Sequence, residues 1–236
     1  MEQELRYNTV IFDFDGTISY SLGMSVASRK ALLNEYGLDK SEAQIEKEFR
    51  SLELSEELST LFGRHLESEE FIEIKKRYLE IQKEKENDHL SLFPGMIEMM
   101  TELKHRNIKI GIVTNRLREA FNRHLHFYKL EDFFDFTFTP SEFIVSKPSP
   151  VPLNYTLNQI GIIDDAGKRK VLYVGDDEAD IKCGQSANID TALVPHSRHL
   201  HDLDIKPTYV LKTVTDVISL CCPTNKIEQS QESKLK

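Results

Sequence analysis

The chain has 236 residues, of which 29% are charged and 39% hydrophobic, and its formal net charge is −9 at pH 7. This composition is ordinary for a globular protein with one sizeable core, or a core plus a smaller unit. The negative charge disfavours nucleic acid and anionic membranes as partners, since both bind basic surfaces. No apolar run reaches the roughly 18 residues that span a bilayer. The first residues are acidic and polar, and the three cysteines suggest no disulfide framework. We therefore expect a cytoplasmic protein that is a monomer or a homodimer.

The first predicted strand covers residues 9–17, where Val10, Ile11 and Phe12 form an apolar run typical of a buried strand. Residues 20–90 then carry almost no strand signals. Their apolar side chains recur at helical spacing, and Ser41 is a candidate helix start. This stretch interrupts the first strand-to-helix connection, and it is therefore predicted to be an inserted helical domain.

Strand and helix signals alternate after residue 91. Strands are predicted at 109–114, 134–139, 170–175, 191–194 and, more weakly, 209–211, with helices at 96–106, 117–127, 152–160 and 179–187. Such alternation predicts a parallel sheet with helices on both faces. The predicted fold class is α/β, with a Rossmann-like three-layer α/β/α core over residues 1–19 and 91–223, an all-α helical cap domain over 20–90, and a disordered polar tail over 224–236.

Two carboxylates, Asp13 and Asp15, follow the first apolar run and precede Gly16 and Thr17. A buried strand that ends in two acids needs compensation of their charge, and a bound hard cation supplies it. Open α/β sheets bind their ligands at the carboxyl ends of the strands. The motif therefore predicts a metal-dependent site at that edge.

Later strands end in polar residues as well. Thr114 and Asn115 follow the strand at 109–114, and Asp176 follows the strand at 170–175. Lys147 lies in a proline-rich loop between them. Because the strands of a parallel sheet end at one edge, we expect these groups to converge with Asp13. A nucleophilic carboxylate, a divalent cation and a lysine with a threonine hydroxyl suit phosphoryl transfer.

These four segments, in this order, resemble the motifs of the haloacid dehalogenase-like hydrolase superfamily, in the branch of the phosphoglycolate phosphatases. The first motif is Asp13-Phe14-Asp15-Gly16-Thr17, the second ends at Thr114, the third is Lys147-Pro148, and the fourth runs from Gly175 to Asp180. The resemblance covers residues 9–195. It implies a helical cap between the first and second motifs, and an enzyme that dephosphorylates a small phosphorylated metabolite with Mg²⁺ as cofactor.

The resemblance also implies a role for each residue. Asp13 would be the nucleophile, and Asp15 the general acid and base. Asp13, Asp176 and the main-chain carbonyl of Asp15 would hold the metal. Asp177 or Asp180 would not bind the metal itself but would orient Lys147 or a metal-bound water by hydrogen bonding. The phosphate would be bound by Thr114, Asn115, Lys147, Gly16 and Thr17.

Several alternatives remain open at this stage. A sugar phosphomutase shares every core motif, and a catalytically silent binding module would share the fold. Asp177 and Asp180 also suit the N-terminal cap of the following helix. In the helical block, Arg64 and His65 are candidate specificity residues, although a plain helix–helix turn fits them equally well. The histidine-rich run 195–201 is interpreted as a solvated loop rather than a metal site.

Overall fold

The computed structural model describes residues 5–48, 54–140, 145–194 and 205–222. The chain divides into two compact units. The α/β unit comprises Met1–Ile18 and Phe93–Lys236, and the helical unit comprises Ser19–Leu92. The histidine-rich run 195–201 and the polar tail 224–236, for which a solvated loop and disorder were predicted, lie outside the described residues.

A six-stranded sheet forms the centre of the α/β unit, and every strand pair in it is parallel. The strands are β1 (Thr9–Phe12), β4 (Lys109–Val113), β5 (Phe136–Phe138), β6 (Val171–Gly175), β7 (Asp190–Leu193) and β8 (Tyr209–Val210). Their order in the sheet is β5-β4-β1-β6-β7-β8. The predicted α/β class with a parallel sheet is confirmed.

Both faces of this sheet are covered, which explains why its strands are apolar on both sides. Ile11, Val113 and Tyr173 share one face with residues of the helices at 151–159 and 178–186. Phe12 and Val174 point to the other face and are also buried. The helices of the unit are α5 (Met96–His105), α6 (Arg118–Tyr128), α7 (Val151–Gln159), α8 (Asp165–Lys168), α9 (Glu178–Ser186) and α10 (Val217–Cys221).

In its described residues, 19–48 and 54–92, the helical unit has four helices: α1 (Leu22–Glu35), α2 (Glu42–Glu48), α3 (Leu54–Phe62) and α4 (Ser68–His89). Ser41 caps α2, because its hydroxyl accepts the N–H of Gln44 while the Gln44 side chain accepts the N–H of Ser41. Each helix contributes to a common core that includes Leu32, Ile45, Leu58, Leu61, Ile74, Tyr78 and Ile81. The helical spacing read from the sequence is therefore confirmed.

Two features differ from the sequence-based expectations. The first strand was predicted over residues 9–17 but ends at Phe12, because the chain turns at Gly16 with φ of +80° and the N–H of Ile18 bonds to the carbonyl of Phe14. Two short strands that the sequence did not suggest, β2 (Ser19–Tyr20) and β3 (Ser91–Leu92), pair antiparallel. Their pairing joins the first residues of the helical unit to its last residues.

Among the helices that the structure describes, none is both long enough and apolar enough to cross a membrane.

Candidate active site

The three central strands of the sheet each end at a predicted site residue. Asp13 follows β1, Thr114 follows β4 and Asp176 follows β6. Since β1 lies between β4 and β6, Asp13 occupies the middle of this edge, and its N–H bonds to the carbonyl of Val174 at 2.8 Å. The parallel strand order thus brings together residues that are up to 163 positions apart in the chain.

Lys147 is buried among carboxylates at this edge. Its ammonium donates to Asp13 Oδ1 and, at 2.7 Å, to Asp180 Oδ1. Burial alone would lower the pKa of Lys147, but the two carboxylates outweigh it and raise the pKa above its ordinary value. The side chain is therefore a fixed, permanently charged ammonium group beside Asp13.

Asp180 is the group that holds Lys147 in place. Its Oδ2 accepts the N–H groups of Asp176 and Asp177, both at 3.2 Å, and its Oδ1 also accepts the Tyr173 hydroxyl at 3.1 Å. With Lys147 added, both carboxylate oxygens are engaged by two donors each. Asp177 caps α9 instead, because its Oδ1 accepts the N–H of Ala179 at 3.0 Å.

Asp176 packs against the turn of the first motif. A Cβ atom at Gly16 would lie only 2.2 Å from Asp176 Oδ2, so only glycine permits this approach. Thr17 donates its hydroxyl to Asp176 Oδ1 at 3.2 Å. Gly16 and Thr17, which were expected at the phosphate, therefore contact the carboxylate of Asp176.

Three of the carboxylates form a cluster with the character of a cation site. One oxygen each from Asp13, Asp176 and Asp180 lies within 4.8 Å of the others. Burial, followed by repulsion from neighbouring carboxylates, raises the pKa of Asp176 well above that of an ordinary aspartate. Burial also raises the pKa of Asp13, although Lys147 opposes this shift. A buried cluster of this kind favours a cation, which relieves the repulsion.

Asp15 does not join this cluster through its side chain. Its carboxylate forms a bidentate pair with Arg116, with Nε to Oδ2 at 2.6 Å and a terminal nitrogen to Oδ1 at 2.5 Å. The N–H of Arg116 also donates to the Thr114 hydroxyl at 3.1 Å. The segment after β4 therefore orders both Asp15 and Thr114.

Asn115 joins the second motif to the third. Its side-chain oxygen accepts the N–H of Lys147 at 2.9 Å, and its amide nitrogen donates to the Lys147 carbonyl at 3.2 Å. Both polar atoms of the side chain thus hold the main chain of Lys147. Asn115 stays a predicted phosphate-binding residue, and its side chain in this structure positions the lysine.

The two candidates in the helical unit lie on its surface. Arg64 forms an ion pair with Glu70 at 2.5 Å, and its side chain is 53% exposed. His65 is also exposed. The turn at Gly63, with φ of +71°, connects α3 to α4.

Sequence reasoning overlooked two residues of the α/β unit that contact the predicted site. Arg116 follows Thr114-Asn115 directly, so a basic residue beside a phosphate motif was the available signal. Tyr173 lies inside a strand, where its aromatic ring satisfies the apolar pattern. Nothing in the sequence indicated that its hydroxyl would reach Asp180.

The parallel sheet, with carboxylates and basic side chains gathered at one edge, defines a hydrolase with a Rossmann-like core. A family model for haloacid dehalogenase-like hydrolases matches residues 10–194, and the chain belongs to that family. The predicted family and the predicted class, a phosphatase-type hydrolase, are confirmed.

Among curated relatives, pyrophosphatase PpaX from Bacillus cereus is 28% identical, and the match covers 94% of this chain and 100% of the relative. Two solved structures have the same fold. A protein described as a haloacid dehalogenase-like hydrolase from Bacteroides fragilis has a TM-score of 0.79 at 22% identity, covering 89% of this chain and 99% of its own. A protein described as a phosphoglycolate phosphatase from Lactobacillus plantarum has a TM-score of 0.78 at 21% identity, covering 91% and 99%.

Proposed function

We propose that this protein is a Mg²⁺-dependent phosphatase that cleaves a small phosphorylated compound through a phosphoaspartate on Asp13. The observation that carries the proposal is the position of Asp13 at the middle strand end, hydrogen-bonded to the buried ammonium of Lys147. Asp13 is 5% exposed, so it belongs to the floor of the site and not to its rim.

The residues present fit a divalent cation. Four carboxylates, from Asp13, Asp15, Asp176 and Asp180, face two cationic side chains, Lys147 and Arg116. A doubly charged ion balances this difference. Because the oxygens of Asp180 are engaged by four donors, we assign the side-chain ligands to Asp13 and Asp176, with Asp180 as a positioning residue. When bound there, Mg²⁺ supplies charge neutralisation for the phosphoryl group.

In the first half of the proposed reaction, a carboxylate oxygen of Asp13 attacks phosphorus while the bond from phosphorus to the leaving oxygen breaks. Asp15, which is a carboxylate in its pair with Arg116, takes up a proton from solvent as the substrate binds and transfers that proton to the leaving oxygen. In the second half, the Asp15 carboxylate takes a proton from water. The water oxygen attacks phosphorus, the bond to Asp13 breaks, and inorganic phosphate is released.

Other residues support these steps by fixing charges before the substrate arrives. Lys147 is held by Asp180 through its ammonium and by Asn115 through its main chain, so it needs little rearrangement to stabilise phosphoryl oxygens. The Thr114 hydroxyl lies on the same edge and is proposed to bind a further phosphoryl oxygen. The helical unit is proposed to act as the cap, with Arg64 and His65 remaining predicted specificity residues.

The nature of the substrate is proposed from the site and the relatives together. The PpaX relative is named for pyrophosphate, and the family branch inferred from the motifs is that of phosphoglycolate phosphatases. Both compounds are small and carry a second anionic group. We therefore place small phosphate monoesters and diphosphate among the candidate substrates, and we propose that the protein acts on them in the cytoplasm.

The test is phosphate release from a panel of these compounds, with and without Mg²⁺. Wild type is compared with Asp13→Asn and with Asp165→Asn, a matched change at an exposed aspartate of α8. We expect Mg²⁺-dependent release that Asp13→Asn lowers by at least about 10³-fold and Asp165→Asn leaves unchanged. Rapid acid quenching should leave a phosphoryl group on the wild-type peptide that contains Asp13.

Two outcomes would contradict the proposal. Full activity of a folded Asp13→Asn protein would remove Asp13 as nucleophile. Transfer of phosphate between positions of a sugar phosphate, without release, would indicate a phosphomutase.

A further inference from the structure

Asp15 forms a two-point charged contact with Arg116, a residue that the proposed reaction does not use. Two hydrogen bonds of 2.5 and 2.6 Å join the guanidinium fork to both carboxylate oxygens. The Arg116 side chain is only 10% exposed, whereas that of Asp15 is 31% exposed. A nearly enclosed arginine therefore points its planar edge at the residue that is proposed to protonate the leaving group.

This placement has a consequence for the substrate. In the proposed reaction, the leaving oxygen lies within hydrogen-bond reach of Asp15. Arg116 lies on both oxygens of the same carboxylate, so it is close to the atoms bonded to the leaving oxygen. Lys147, by contrast, is committed to Asp13 and Asp180, on the side of the transferred phosphoryl group. Lys147 therefore lies on the side of the transferred phosphoryl group, and Arg116 lies on the side of the leaving group.

We infer that Arg116 is a specificity-determining residue that binds an anionic group on the leaving part of the substrate. The fitting groups are a second phosphoryl group, as in a diphosphate, or a carboxylate close to the ester oxygen. The fork geometry of arginine matches such groups in a bidentate manner, as it matches Asp15 in this structure. The anionic group takes over the guanidinium fork from Asp15, whose carboxyl then turns to the leaving oxygen. This inference rests on the proposed phosphatase function.

The kinetic test compares two classes of compound. Pyrophosphate and 2-phosphoglycolate carry a second anionic group on the leaving part of the molecule. The substrates p-nitrophenyl phosphate and glycerol phosphate carry no anionic group besides the phosphate that is transferred. Loss of two charge-assisted hydrogen bonds predicts that Arg116→Met lowers kcat/KM for the first class about 30-fold more than for the second. Arg116→Lys should be intermediate. Arg123→Met is the matched control, because Arg123 pairs with Glu119 on the surface of α6, and it should change neither class.

A binding measurement covers the case in which Arg116→Met fails to fold. Calorimetry with Mg²⁺ compares methylenediphosphonate with methylphosphonate on wild type, Asp15→Asn and the double variant Asp15→Asn with Arg116→Lys. Asp15→Asn removes the carboxylate that occupies the fork. It should tighten the diphosphonate at least about threefold more than the monophosphonate, and the double variant should lose that difference.

The outcomes separate this inference from the function on which it rests. Phosphate release that falls equally for both substrate classes in Arg116→Met, with no diphosphonate preference in any protein, overturns the role of Arg116 but leaves the phosphatase proposal standing. Absence of release from every compound by wild type overturns the phosphatase proposal and this inference with it.

Discussion

Replacing Gly16 by alanine tests how closely the turn of the first motif holds Asp176. The added Cβ would lie 2.2 Å from Asp176 Oδ2 and 2.6 Å from its Cγ, whereas ordinary contacts begin at 3.4 Å. The carboxylate must therefore move by about 1 Å, which exceeds the tolerance of roughly 0.5 Å for a functional group in a working site. Gly16 also has φ of +80°, so alanine adds backbone strain of about 1 kcal/mol.

These two effects are separable with a matched control. Gly161 has φ of +78° in the same α/β unit, but a Cβ there would meet nothing within 4 Å. Gly161→Ala therefore carries only the backbone strain. We expect Gly161→Ala to lose about 1 kcal/mol of the free energy of unfolding, and Gly16→Ala to lose that amount plus the cost of displacing the Asp176 carboxylate. Only Gly16→Ala should also need on the order of 10- to 100-fold more Mg²⁺ for half-maximal activity.

The assay is a Mg²⁺ titration of phosphate release at saturating substrate, with urea unfolding of each protein measured in parallel. An equal Mg²⁺ requirement in Gly16→Ala and Gly161→Ala would refute the reasoning. It would mean that Asp176 either does not hold the metal or has room to adapt to the added methyl group.

Two further predictions concern polar contacts elsewhere in the chain. Asn115→Ala should raise KM for the phosphate substrate about tenfold with a smaller change in kcat, since it frees the main chain of Lys147, and steady-state kinetics in which only kcat falls would contradict that. In the helical unit, Arg29 and Glu57 form an ion pair with side chains 4% and 6% exposed. Glu57→Gln should therefore lower the free energy of unfolding by about 3–5 kcal/mol. The pair Arg29→Met with Glu57→Leu should recover most of the loss in urea denaturation, and an unstable double variant would argue against charge burial as the cause.

Much of the architecture was predictable because it depends on local patterns. The consecutive apolar residues before Asp13 are typical of a strand that is buried on both faces of a sheet. The alternation of strands and helices after residue 91 indicates that the sheet is parallel. Since parallel strands end at one edge, the sequence pattern alone predicts that Asp13, Thr114 and Asp176 lie together. The ends of the strands were harder to predict. The chain turns at Gly16, and β1 is therefore shorter than predicted.

The finer organisation of the site could not be read in this way, because it depends on contacts between distant segments. Asp177 and Asp180 were equivalent candidates in the sequence. The structure separates them, since Asp180 reaches Lys147 while Asp177 caps α9. In the same way, the Asn115 amide holds the main chain of Lys147, 32 residues away.

The sequence by itself determined the family, the α/β class and the acids at the strand ends, because residue spacing and strand periodicity encode them locally. Only the tertiary structure decided which side chains form hydrogen bonds with these acids. The contact between Asp15 and Arg116 spans 101 positions, and that between Thr17 and Asp176 spans 159. Such pairs exist because the strand order places β4 and β6 on either side of β1, and side-chain hydrogen bonds form only at distances that packing sets.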